Sequence, residues 1–142
     1  TWENPGNAYL YIDGDPAGYK SMLGSMGATS AMLVMGLKRD SGDRFHGGID
    51  EVRIFNAVVD PADMRDWMHR RIGPGHPNYA DLRAAWSFED GQGQTATCEV
   101  SGADARLGDG TGVDDADPTW IGSGVVPIEI TSWSRVKALF HR

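Results

Sequence analysis

Residues 45–56 constrain the fold of this chain more than any other segment. They read Phe-His-Gly-Gly-Ile-Asp-Glu-Val-Arg-Ile-Phe-Asn and alternate with a period of two, which predicts a β-strand. The alternation places Asp50, Val52 and Ile54 on one face and Ile49, Glu51, Arg53 and Phe55 on the other. Because Val52 and Ile54 are apolar, we expect their face to meet the core. Asp50 would then lie on the core side at the strand's mouth, where a carboxylate needs a partner.

Further segments have the composition of strands, namely residues 7–13, 31–37, 82–90 and 94–100. The first ends in the turn sequence Asp-Gly-Asp-Pro, and the second is a continuous apolar run that predicts a buried strand. Alternation in the third directs Trp86 and Phe88 inward. Residues 19–26 leave two interpretations open, the returning strand of a hairpin or a loop.

One helix is marked at both ends. Asp60 is the expected N-cap and Pro61 suits the first helical position, while Arg70 and Arg71 suit the last turn before a Gly-Pro-Gly stop. We therefore predict a helix over residues 61–72.

The last residues predict a tail. Residues 125–131 predict an edge strand, and residues 132–142 carry apolar side chains at amphipathic spacing behind a Ser132 cap. We expect a short C-terminal helix or an attachment segment there.

Composition agrees with an all-β fold and limits the partners. The chain has 19 Gly, 7 Pro and 5 Trp among 142 residues, which suits frequent turns and a few large aromatic anchors. A net charge of −7 makes nucleic acid and anionic membranes poor partners, and no stretch is apolar enough to span a bilayer. The single cysteine, Cys98, cannot form an internal disulfide and is expected to serve packing.

Three segments, in order, resemble the C-terminal half of bacterial laminin-G-like modules of the concanavalin A-like lectin/glucanase superfamily. They are residues 10–14 (Leu-Tyr-Ile-Asp-Gly), residues 45–56 and residues 86–95 (Trp-Ser-Phe-Glu-Asp-Gly-Gln-Gly-Gln-Thr). Residues 45–56 are the most specific of the three. The resemblance implies an all-β, antiparallel β-sandwich of jelly-roll type with one short edge helix. It would span residues 1–121, and residues 122–142 would form the tail.

The sequence departs from the family pattern in two ways. Strands that should precede Leu10 are missing, and residues 98–102 replace an Asp-x-Ser-Gly-Asn stretch. Since the chain begins at Thr1 and not at an initiator Met, we expect a cleaved or partial product of a larger precursor.

Calcium is the metal that the resemblance implies, bound at the rim of the sandwich. Asp50 matches the family position, and the alternative is that it caps backbone amides in the preceding Gly47-Gly48 turn. Asp90 is a second candidate for structural Ca²⁺, with a turn residue as the alternative. The acidic, Gly-rich residues 107–118 do not have the register of an EF-hand-type loop, so we expect a solvated loop there.

The residues do not support catalysis. Aligning Asp50 with the central Asp of the superfamily's β-glucanase motif places Gly48 and Arg53 where the two catalytic carboxylates would be needed. The four histidines lie without ligand spacing. Four aromatic residues, Trp2, Tyr9, Tyr11 and Tyr19, are suited to stacking on sugar rings, although packing is the expected role.

The sequence thus predicts a non-catalytic extracellular binding or assembly module of a bacterial surface or filament protein. The expected partner is another copy of the chain or an upstream fragment of the same precursor, because a sandwich lacking strands has open edges. The alternative is a self-sufficient carbohydrate-binding module that binds glycans or surface proteins, either alone or as an accessory to a glycoside hydrolase.

Overall fold

The computed structural model describes residue 1 and residues 6–22, 32–38 and 42–121. Along these residues, the strands are β1 (Gly6–Ile12), β2 (Asp15–Met22), β3 (Leu37–Lys38), β4 (Asp43–Arg44), β5 (Val52–Phe55), β6 (Leu82–Trp86), β7 (Thr95–Ala96) and β8 (Ala105–Arg106). One α-helix, α1 (Pro61–Trp67), and a single 3₁₀ turn, Tyr79–Asp81, lie between β5 and β6. The edge strand predicted over residues 125–131 and the helix or attachment segment predicted over residues 132–142 lie outside the described residues.

All described strand pairs are antiparallel, as expected for a concanavalin-like all-β fold. The pairs are β1–β2, β3–β4, β5–β6 and β7–β8, and each forms a two-stranded sheet. The prediction of mostly antiparallel strands with one short helix is confirmed. Closure of these sheets into a complete sandwich remains a prediction.

The β1–β2 hairpin turns on two residues, Asp13 and Gly14. Both have positive φ (53° and 78°), as a two-residue hairpin loop of the Asp-Gly kind requires. Ile12 pairs with Asp15 directly across this loop, whereas Leu10 pairs with Gly18 after a register shift. Residues 19–22 therefore belong to a returning strand, which settles the alternative for these residues, while residues 23–26 lie outside the described part of the chain.

The core lies around the β5–β6 pair. Its buried members are Ala84, Trp86, Ala96, Cys98 and Leu107, and partly buried Met35, Val52, Phe88, Ala105 and Trp120 pack against them. Trp86 is 5% exposed, and its indole Nε1 donates to the carbonyl oxygen of Ala103 at 3.2 Å. The inward orientation predicted for Trp86 and Phe88 is confirmed, and so is the packing role of Cys98.

Helix α1 begins where the sequence predicts and ends earlier. Asp60 accepts a hydrogen bond from the N–H of Ala62 at 2.8 Å, and Pro61 occupies the first turn. The predicted end at residue 72 is wrong, because the helix stops at Trp67. The guanidinium of Arg53 on β5 donates to the carbonyl oxygens of Trp67 and Arg70, so a tertiary contact satisfies groups at the helix end.

Several strand predictions are also wrong in extent, because residues 45–56 form a strand only over Val52–Phe55 and residues 82–90 only over Leu82–Trp86. Met32, Leu33 and Val34, from the run expected to form a buried strand, lie outside any strand and are exposed. Ile54 is 39% exposed although its parity predicts the core face, and residues 94–100 contribute only β7. An apolar segment would gain free energy from burial, but whether it is buried depends on which other elements pack over it.

Candidate functional site

The outer edge of β1 is the first feature that can bind another chain. The N–H of Tyr9 donates to the carbonyl oxygen of Thr1 at 2.7 Å, and the nitrogen of Thr1 donates to the carbonyl oxygen of Tyr9 at 2.9 Å. This exchange is the pattern of a hydrogen-bonded antiparallel pair. Since β2 occupies the opposite edge of β1, the Tyr9 backbone groups point outward, and the edge accepts an extended segment.

Two tyrosines form an exposed aromatic pair on the same hairpin. Tyr9 and Tyr19 are directly opposite in register, with ring centroids 6.2 Å apart and planes tilted by 34°. Tyr9 is 40% exposed and Tyr19 is 73% exposed. Both rings are exposed and contact each other, so neither is buried in the core, and packing at the rim of the module stays a prediction. Tyr11 is half-buried, and Trp2 lies outside the described residues.

An arginine of α1 contacts the turn of the hairpin. Arg65 Nη1 donates to the carbonyl oxygen of Gly14 at 3.0 Å and to Asp15 Oδ1 at 2.8 Å. Both partners of the ion pair are solvent-exposed, so the contribution to stability is small. Its effect is to orient the turn against the helix and to leave the tyrosine face outward.

Asp50 does not lie on the core side. It is exposed, it precedes β5, and its Oδ1 accepts from the N–H of Glu51 at 2.9 Å. Glu51 has a φ of 49°, so the backbone turns sharply here. Asp50 therefore caps a nearby backbone amide, which agrees with the alternative to calcium binding. The amide belongs to Glu51, however, and not to the predicted Gly47-Gly48 turn.

Asp90 is held in the same manner by a turn. Its Oδ2 accepts from the N–H of Thr97 at 3.0 Å and its Oδ1 from the hydroxyl of Thr97 at 2.5 Å. The hydrogen bond from the Thr97 hydroxyl is the larger cause, and the hydrogen bond from the Thr97 amide the second, that lower the pKa of Asp90 below its usual value. Both carboxylate oxygens thus have donors within the protein.

The described residues contain no group of three or more His, Cys, Asp or Glu side chains arranged to hold a metal ion. Neither Asp50 nor Asp90 has a buried oxygen without a partner, and each is engaged with amides of its own segment. Because Ca²⁺ also takes backbone carbonyl and water oxygens as ligands, calcium at Asp50 or Asp90 stays a prediction.

The acidic loop of residues 107–118 is organised by its own carboxylates. Asp117 Oδ2 accepts from Gln94 Nε2 at 2.9 Å and from the N–H of Asp114 at 3.0 Å, while Asp114 Oδ1 accepts from the N–H of Ala116. Two buried oxygens, Gln94 Oε1 and Asp117 Oδ1, have no partner within the protein. The absence of strand structure here confirms the loop prediction for the described residues.

Cys98 is buried among apolar side chains and still has a perturbed thiol. Its Sγ lies 3.3 Å from the hydroxyl oxygen of Ser101. Burial raises the pKa of Cys98, but the Ser101 hydroxyl and neighbouring backbone amides outweigh it and lower the pKa to about 6. With 6% of the residue exposed, the thiolate is shielded from solvent reagents.

A small aromatic cavity of about 270 Å³ lies between α1 and β5. His76, which is buried, stacks on Phe55 with centroids 5.0 Å apart and lies 5.1 Å from the ring of Trp67. Burial lowers the pKa of His76, with Arg53 acting in the same direction and Asp63 against it. His76 Nδ1 accepts from the N–H of Asn78, so this histidine serves as a neutral core residue.

The mostly antiparallel strands, the single short helix and the outward-facing hairpin define an all-β module of the concanavalin-like type. Residues 1–65 match the laminin-G family model described as the concanavalin A-like lectin/glucanases superfamily. Over these residues the chain is similar to that superfamily, in agreement with the resemblance seen in the sequence. The match includes the segments 10–14 and 45–56, whereas residues 86–95 lie beyond it.

No curated protein and no solved structure matches the chain significantly. Domains of the laminin-G-like, concanavalin A-like kind are in general binding modules without catalytic activity. No helix among the described residues is long and apolar enough to cross a membrane.

Proposed function

We propose that the chain is a non-catalytic extracellular module of a bacterial surface or filament protein, and that its sheet is completed by a strand from another copy or from an upstream fragment of the precursor. The observation that carries the proposal is the exchange of both backbone hydrogen bonds between Thr1 and Tyr9. It supports an edge of β1 that accepts extended backbone.

The direction of that exchange indicates how a donor strand would run. Thr1 and Tyr9 pair in the antiparallel sense, so a segment continuing beyond Thr1 would pass along β1 toward Ile12. An extended segment of a neighbouring copy presents the same backbone groups, and it would take the place of Thr1 at Tyr9. Strand addition of this kind derives affinity from main-chain hydrogen bonds and specificity from alternate side chains.

Self-association tests the edge directly. Tyr9→Pro removes the outward N–H, which bonds to Thr1 within the chain and which a strand that takes the place of Thr1 would need. Proline is tolerated at such an edge position because this N–H does not bond to β2. Tyr9→Val is the matched control, because it keeps the N–H and removes only the ring. In sedimentation velocity over a range of concentrations, we expect Tyr9→Pro to abolish association of the chain and Tyr9→Val to retain it.

A chain that remains a monomer of 15.4 kDa at every concentration and unfolds cooperatively would overturn assembly with another copy. Equal association of the Tyr9→Pro variant and the unaltered chain would exclude β1 as the edge used.

The second candidate function is carbohydrate binding, favoured by the exposed Tyr9–Tyr19 pair. Exposed aromatic rings stack on the apolar faces of sugars. On a glycan array, Tyr9→Val and Tyr19→Val would each abolish binding. This pattern is the reverse of that expected for edge pairing, where Tyr9→Val is silent. Absence of glycan binding by the unaltered chain, with no change of melting temperature on adding a chelator, would exclude sugar and calcium together.

A further inference from the structure

A concave apolar surface lies beside the β3–β4 hairpin. It encloses about 540 Å³ and is lined by Gly36, Leu37, Asp43, Arg44, Phe45 and Ile49, which we call the hairpin patch. Three of its apolar side chains are exposed: Leu37 by 43%, Phe45 by 60% and Ile49 by 39%. An exposed cluster of large apolar side chains of this kind is typical of a docking surface.

The loop that precedes the end of the described chain contacts the rim of this patch. Arg44 Nη1, at the rim of the patch, donates to the carbonyl oxygen of Asp115 at 3.2 Å. Five residues later, Trp120 Nε1 donates to the carbonyl oxygen of Gly93 at 2.8 Å, which fixes the chain just before residues 122–142. Because an extended chain spans about 3.3 Å per residue, the five residues that lead from Trp120 to Val125 reach up to about 17 Å.

The sequence of the last 21 residues complements the patch in pattern. Val126, Ile128 and Ile130 recur with a period of two, so an extended conformation would present all three on one face. Pro127 lies between them and lacks an N–H, which suits a segment that pairs along one edge only.

The charges of the two parts are also complementary. Residues 122–142 contain three basic side chains and one acidic side chain, a net charge of +2, whereas residues 1–121 contain ten basic and nineteen acidic, a net charge of −9. Asp114 and Asp115 are exposed in the loop that contacts Arg44. Attraction between the basic end and this loop would bring the apolar stretch to the patch.

We propose that residues 122–142 dock on the hairpin patch of their own chain, with Val126, Ile128 and Ile130 facing Leu37, Phe45 and Ile49. The tether favours the same chain over a second copy, because a short linker holds its end at an effective concentration in the millimolar range. This interaction is independent of the β1 edge, which would remain open to a partner strand.

Hydrogen exchange of the full-length chain, followed by mass spectrometry on peptides that cover residues 36–49, tests the proposal. Ile128→Asp places a charge on the docking face, and the adjacent valines provide a matched pair of variants. Val126→Asp alters the docking face, and Val125→Asp makes the same chemical change on the opposite face. We expect Ile128→Asp and Val126→Asp to speed exchange in this region about tenfold or more, the factor implied by one lost buried aliphatic side chain, and Val125→Asp to leave it unchanged.

Equal effects of Val126→Asp and Val125→Asp, or no effect of Ile128→Asp, would overturn the proposal. Protection that increases with protein concentration, together with a dimer in light scattering, would assign the contact to a second copy and overturn docking within the chain. Protection that is independent of concentration, and that weakens with added salt, would support it. Phe45→Ala, at an exposed patch residue, should release the segment in the same assay without touching the tail sequence.

Discussion

Arg53 connects β5 to the C-terminal end of α1, and its replacement by alanine would separate the two elements. Its Nη1 donates to the carbonyl oxygen of Trp67 at 2.9 Å, and its Nη2 donates to that of Arg70 and to Glu51 Oε2, the latter at 2.7 Å. The side chains of Arg53 and Glu51 are 11% and 27% exposed. The fork is therefore largely withdrawn from solvent.

The magnitude follows from these contacts. Hydrogen bonds that involve a charged group contribute about 1.5–3 kcal/mol each, but carbonyl oxygens at the exposed helix end regain water once the guanidinium is gone. We expect Arg53→Ala to lower the free energy of unfolding by about 3 kcal/mol, and Arg53→Lys by about half of that, because an ammonium retains the charge and lacks the planar fork. Such a loss is a large fraction of the stability of an ordinary domain.

Urea unfolding monitored by tryptophan fluorescence provides the measurement. With a denaturant dependence of about 1.5 kcal/mol per molar urea, a loss of about 3 kcal/mol moves the midpoint by about 2 M. Arg83→Ala is the control, since Arg83 is exposed and has a single weak contact, to the carbonyl oxygen of Ala80 at 3.5 Å. If Arg53→Ala shifted the midpoint no further than Arg83→Ala, the reasoning from the buried fork would be refuted.

Two further predictions concern the loops that follow β6. Gly108 and Gly102 share a φ of 64°, but an added Cβ meets Asp117 Oδ1 at 1.9 Å at Gly108 and nothing within 4 Å at Gly102. Gly108→Ala should therefore cost about 2–3 kcal/mol and Gly102→Ala about 1 kcal/mol, and equal melting temperatures for the two variants would contradict the contact. Ser101→Ala should raise the pKa of Cys98 above about 6 in an ultraviolet titration of the thiolate, and an unchanged midpoint would exclude the hydroxyl as its donor. Because the folded pKa lies below that of the unfolded chain, the thiolate stabilises the fold above pH 9.0, and this contribution is lost as the pH falls through about 6.

Local signals in the sequence predicted several element boundaries correctly. The Asp13-Gly14 turn and the start of α1 at Asp60-Pro61 depend on the φ preferences and side-chain bonds of adjacent residues. The alternation of apolar and polar residues predicted that Trp86 faces inward, and Trp86 lies in the core. In each case the information is contained within a few residues of the chain.

The exposed tyrosine pair shows what a local pattern misses. A two-residue loop between Ile12 and Asp15, continued without interruption, would set Tyr9 opposite Gly18. A register shift after Leu10 leaves Ala17 unpaired and brings Tyr19 opposite Tyr9. One extra residue in a strand is sufficient to change which side chains meet, and the sequence has no separate signal for it.

The sequence by itself indicated the similarity to the laminin-G-like family over residues 1–65, the β character, the hairpin turn and the beginning of the helix. Tertiary structure decided where the helix ends, where Asp50 lies and which apolar side chains remain exposed. The physical reason is that turns and caps arise from neighbouring residues, whereas burial and the partners of charged groups such as Arg53 depend on elements distant along the chain.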